Sequence, residues 1–124
     1  MKFFVALVLS LAVCGFMVSQ QTPGTVGGWI PIQYNPDNKE LRDLLYFGVQ
    51  ESVTDAIAAG QLSNGIWNCT NVNSLKAQLV AGMNYNFNVN LQDQNGDTAV
   101  MDFVVFDLLG EGTMALDSWE VLKM

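Results

Sequence analysis

Between Met83 and Leu91 the chain alternates without exception. Met83, Tyr85, Phe87, Val89 and Leu91 are apolar, and Asn84, Asn86, Asn88 and Asn90 stand between them. Successive side chains of a strand point to opposite faces, so this segment is expected to be a strand with one packed face and an asparagine ladder directed into water. Asn95-Gly96, flanked by Asp93 and Asp97, follows it. That dipeptide is a strong hairpin signal and joins the strand to a second one over Thr98 to Leu108. Two registers stay open: a two-residue turn places Asp102 opposite Val89, and a longer loop points Met101, Phe103 and Val105 inward.

An apolar strand face needs a partner, and the segment upstream offers one. Leu41, Leu45, Val49, Val53, Ala56 and Ile57 recur at helical spacing, with Leu44, Gly48 and Ser52 beside them. Asn35 is a suitable N-cap with Pro36 at the first helical position, Asp37 and Glu40 suit the positive end, and Gly60 is a natural stop. This predicts an amphipathic helix of about 24 residues, roughly 36 Å long. Trp29, Ile30 and Ile32 around Pro31 predict a short edge strand, residues 66–80 a strand, and Gly112 to Leu116 a last strand before a C-terminal tail. One long N-terminal helix followed by four or five antiparallel strands is an α+β arrangement, with the helix across one sheet face.

Residues 1–19 have the pattern of a secretory signal: Lys2, an apolar run from Phe3 to Val13, then small residues ending at Ser19. Cleavage after Ser19 is expected, with Gly15 as the alternative. The run is shorter than the ~20 apolar residues of a spanning helix, so no membrane anchor is expected. A single domain over residues 20–124 remains, with 20–28 as an extended arm rich in glycine. Loss of Lys2 takes the formal charge from −7 to −8. So acidic a surface repels nucleic acid and anionic membranes. The chain has no histidine, which removes Ser-His and Cys-His nucleophilic pairs and histidine zinc sites. No enzyme, cofactor or metal is expected. Cys14 leaves with the signal, so Cys69 stays alone and no intramolecular disulfide can form. A monomer is expected, with a Cys69-linked or domain-swapped dimer as the alternative.

Two segments break the strand pattern. Gln78-Leu79-Val80-Ala81-Gly82 falls between two strands, where a hairpin tip is normally polar, and is apolar instead. Thr25-Val26-Gly27-Gly28 ends the arm in two glycines just before the fold begins. Together they resemble the cystatin family of papain-like cysteine peptidase inhibitors. The first matches that family's Gln-Xaa-Val-Xaa-Gly hairpin loop, and the second is similar to its N-terminal segment, with the functional glycine at Gly27. Leu45-Tyr46-Phe47-Gly48-Val49 stands where the family has Phe-Ala-Val on its helix, and Met83-Asn84-Tyr85 resembles the opening of its next strand. Ala99 to Leu116 is similar to the last two strands without a gap.

The resemblance implies a cystatin-like sheet wrapped around one helix and a secreted, reversible, tight-binding inhibitor. Its arm (Val26, Gly27, Gly28) and first hairpin loop (Gln78, Leu79, Val80, Ala81, Gly82) would wedge into the cleft of a papain or cathepsin L-type enzyme. The second loop falls at Leu109-Gly110, where the family carries Pro-Trp, and loss of a buried interface tryptophan implies weaker binding. Ser118-Trp119 lies nine residues too late to replace it. The alternative is a cystatin-fold binding protein that has lost protease inhibition. Asn68-Cys69-Thr70 fits the glycosylation sequon. Ser63-Asn64-Gly65 is read as a turn rather than a legumain site, and the scattered acidic residues as solvated surface rather than a calcium site.

Overall fold

The computed structural model describes residues 28–108 and 113–124. The expected signal, all of the arm but Gly28, and Leu109-Gly110 lie outside the described residues. In chain order the elements are β1 (Trp29–Pro31), α1 (Lys39–Ala58), β2 (Trp67–Val80), β3 (Gly82–Asp93), β4 (Thr98–Leu108) and β5 (Thr113–Lys123). The strands form one antiparallel sheet in the order β1-β2-β3-β4-β5, each beside its neighbour in sequence. α1 packs on one face of it.

α1 starts three residues later than the spacing predicts. Asn35 spends its side chain on the Asp37 N–H at 2.9 Å and its carbonyl on the Asn38 N–H, closing a turn of its own. Asn38 is the N-cap, extended at φ −81° and ψ 108°, and its side chain accepts from the Leu41 N–H at 3.1 Å. At the other end Gly60, at φ +76°, donates to the Ile57 carbonyl, and Gln61 donates to Ala56. This is a Schellman closure, which needs the left-handed residue glycine supplies. The helix is therefore 20 residues long.

Leu44, Leu45, Gly48, Val49, Ser52, Val53 and Ala56 form its buried stripe. Its apolar members Leu44, Leu45, Val49, Val53 and Ala56 share one core with Leu75 of β2, Phe87, Val89 and Leu91 of β3, and Ala99, Met101, Phe103 and Val105 of β4. Phe87 stacks on Phe103 with ring centroids 5.3 Å apart, and Tyr34 meets the Phe87 ring edge-on at 6.4 Å. Leu62 and Trp67, from the connector and the start of β2, complete the core. The Trp67 indole N–H donates to the Ser63 carbonyl at 3.0 Å.

The β3–β4 register is the longer-loop one: Val89 faces Met101, and Met101, Phe103 and Val105 point inward. Asp93 and Asp97 close the turn, with the Asp93 N–H bonded to the Asp97 carbonyl and the Gly96 N–H to that of Asp93. The Asp93 carboxylate accepts from the N–H groups of Asn95 and Asp97 at 2.9 and 2.8 Å.

Two further expectations are corrected. The residues after Leu116 are strand rather than tail: β5 runs to Lys123, and Trp119, packed on the core, faces Phe103. Asp117 forms a bulge opposite Val104–Val105, which shifts the inward phase by one residue between Leu116 and Trp119 and hides the alternation. The asparagine ladder is half-buried and hydrogen-bonded to the neighbouring strands rather than simply solvated. Asn73 donates to both Asn88 and Asn90 at 2.9 and 2.8 Å, Asn84 to Gln78 at 3.0 Å, and Asn86 to Asp102.

Candidate functional site: one edge of the sheet

The strand registers bring the candidate segments to one end of the sheet. Leu79 faces Met83, and Val80 faces Gly82, so the β2–β3 hairpin turns at Ala81. Met83 in turn faces Asp107, next to the Leu108–Thr113 pair. On the other side Trp29 faces Gln78, which sets Gly28 beside the same end. Gly28, the 78–82 hairpin and the Leu108–Thr113 pair thus share this end of the sheet, here called the candidate edge. Thr25, Val26, Gly27, Leu109 and Gly110 lie outside the described residues.

This edge is apolar and exposed. Leu79 is 45%, Trp29 40% and Leu108 38% accessible, Ala81 is exposed and Val80 half-buried. Chain reversal after a single residue holds Leu79, Val80 and Ala81 on a tight tip, so little chain entropy is left to lose on docking. Gln78 is anchored by the Asn84 amide. The Lys76 ammonium stands 6.0 Å from the centroid of the Trp29 ring, a cation–π contact at the sheet edge. Leu108 is the residue that sequence reasoning missed; its one signal is adjacency to Leu109-Gly110.

Gly82 has a structural task here. It is buried, its φ is +152°, and a Cβ would stand 2.8 Å from both the Asp107 carbonyl oxygen and Phe106 Cζ. The backbone that closely approaches Gly82 is therefore that of β4 in the same chain. Only glycine lets the first hairpin lie so near the second.

Among the described residues no group of three or more Asp, Glu or Cys side chains could hold a metal ion. Burial raises the Tyr85 phenol, as do the Asp107 and Glu40 carboxylates, which keeps it protonated. Burial likewise raises the Cys69 thiol, and Cys69 lies at the far end of β2 from the hairpin tip. Two grooves of about 550 and 500 Å³ flank Tyr46 and Cys69 between α1 and β2, away from the edge. Among the described residues no helix is long and apolar enough to cross a membrane.

No protein-family model matches the sequence, and no curated protein does. Solved structures do match. A salivary cystatin from the soft tick Ornithodoros moubata superposes with a TM-score of 0.55 at 14% identity, covering 79% of this chain and 99% of that one. A protein named Al-CPI superposes with a TM-score of 0.54 at 15% identity, covering 77% of this chain and all of that one. With one helix on a five-stranded antiparallel sheet, and these structural neighbours, the chain has a cystatin-like α+β fold.

Proposed function

We propose that residues 20–124 form one secreted domain that reversibly inhibits papain-like cysteine peptidases by occluding the active-site cleft. The observation that carries this reading is the shared edge, where the Val80–Gly82 tip, Gly28 and the Leu108–Thr113 pair stand together with Trp29, Leu79 and Leu108 exposed. The names of the structural neighbours, one of them a cystatin, support the same class of partner.

Val80 and Ala81 would bury apolar surface beside the enzyme's catalytic cysteine, at about 25 cal/mol per Å² removed from water. Thr25 and Val26 would occupy the non-primed subsites, and Gly27 would let the chain turn away. Leu108, Leu109 and Gly110 would form the second contact. No peptide bond is presented to the nucleophile, so the protein is not consumed. The proposed contacts require no cofactor, nucleic acid or membrane, and one protomer supplies all of them.

A second reading is a binding protein of this fold without inhibitory activity. It is favoured by Leu109-Gly110 at the position of Pro-Trp and by the acidic surface. Titrating residues 20–124 into papain and a cathepsin L-type peptidase, with peptide hydrolysis as readout, separates the two. The first reading predicts saturable, reversible inhibition, and its absence at micromolar concentration overturns it.

A further inference from the structure

β2 is paired with β3 along its length, and among the described residues its other side is strand-paired only near one end. Lys76, Ala77 and Gln78 face β1, and the Ile32 N–H reaches the Leu75 carbonyl at 3.0 Å. Among the described residues, 67–73 therefore have no strand paired on that side and present an open sheet edge. Such edges invite pairing with another chain and are normally blunted by charge, proline, bulges or a cover. This stretch has no charged residue and no proline; bulges at Cys69/Asn71 and Val72/Ser74 are its protection.

Asn68-Cys69-Thr70 lies in this stretch. Trp67 is buried, and alternation turns Asn68 outward, exposed and opposite the exposed Gln92. Asn71, Asn73, Asn84 and Asn86 each donate to a neighbour. The Asn68 side chain makes no hydrogen bond among the described residues and points to solvent. Asn68 is also about twelve residues from Val80 along one strand, roughly 40 Å at 3.3 Å per residue. A bulky group there leaves the candidate edge open.

We propose that Asn68 is an N-glycosylation site whose glycan covers the open edge of β2. The proposal rests on the secretory reading of residues 1–19, because the modification occurs during export. The anomeric carbon of a lipid-diphosphate-linked oligosaccharide forms a C–N bond to Asn68 Nδ2. The amide loses one proton, and the lipid diphosphate departs with the bonding electron pair.

The test is expression of the full chain in a eukaryotic secretory cell and mass analysis of the medium. The expected product begins near residue 20 and is heavier than the polypeptide. A peptide-N-glycosidase should remove the added mass and leave aspartate in place of asparagine at position 68, so that the product stays distinguishable from a chain that never carried a glycan. Thr70→Ala should abolish the added mass, and Thr70→Ser should retain it. Export at the polypeptide mass overturns the glycan alone. Retention in the cell with residues 1–19 attached overturns the secretory reading and the glycan together. Under reducing conditions the exported Thr70→Ala protein should self-associate at concentrations where the glycosylated protein sediments as a monomer, and identical sedimentation overturns the covering role.

Discussion

Gly48 of α1 and Phe103 of β4 occupy the same point of the helix–sheet interface. A Cβ at Gly48 would stand 2.6 Å from Cδ1 and 2.8 Å from Cζ of the Phe103 ring. The ring has little room to yield, because its other face stacks on fully buried Phe87. Gly→Ala at an unconstrained helix site gains about 0.5–1 kcal/mol. Here overpacking wins: Gly48→Ala should lower stability by about 1–3 kcal/mol, read from the urea midpoint. Adding Phe103→Leu should recover part of that loss, a non-additivity expected of groups in contact.

Gly82→Ala tests the packing of the two hairpins. With φ at +152° and the Asp107 carbonyl in the way, the variant should lose about 1–3 kcal/mol. Its papain inhibition should weaken as well, because the tip and the Leu108–Thr113 pair no longer share one line.

Restoring the missing tryptophan should strengthen binding. Leu109→Pro together with Gly110→Trp is expected to tighten papain inhibition by roughly 30- to 1000-fold, the equivalent of about 2–4 kcal/mol for an interface hot spot. Unchanged inhibition would show that the segment 109–112 makes no contact with the enzyme.

Stability should rise in mild acid. Burial raises the Asp102 carboxyl above the ordinary aspartate value, and Glu120, opposite it, adds to the shift against the lowering effects of Asn86, Lys76 and Asn88. Burial raises Asp117 as well. A raised native value means that the folded chain binds protons the unfolded chain has released. Stability from these groups is therefore greatest below the unfolded value, about 4, and falls as pH rises through the native values. Urea midpoints measured across that interval should show the decline, and Asp102→Asn should flatten it.

Local patterns reached the inner parts of the fold and stopped at its joints. The alternation from Met83 to Leu91 and the helical stripe from Leu44 to Ala56 are core in the structure, because each repeats at the period of its own element. The N-cap was displaced to Asn38 because Asn35 finds a nearer use for its side chain, a competition between two equivalent residues that spacing alone does not rank. β5 was cut short because the Asp117 bulge breaks its period. The candidate edge was legible as motifs at Gln78–Gly82 and Gly28. That Leu108 joins it, and that Gly82 is pressed against Asp107, depends on pairings between strands far apart in sequence.

Under the proposed function the hairpin edge, rather than the fold alone, carries inhibition. The most direct measurement is the papain inhibition constant of Val80→Asp beside that of the unsubstituted residues 20–124, with both urea midpoints recorded. Val80 is half-buried at the hairpin tip, so the fold should survive. Inhibition should weaken roughly 30-fold or more, the loss of about 2 kcal/mol at a contact centre. Equal inhibition constants in two equally stable proteins would contradict the account.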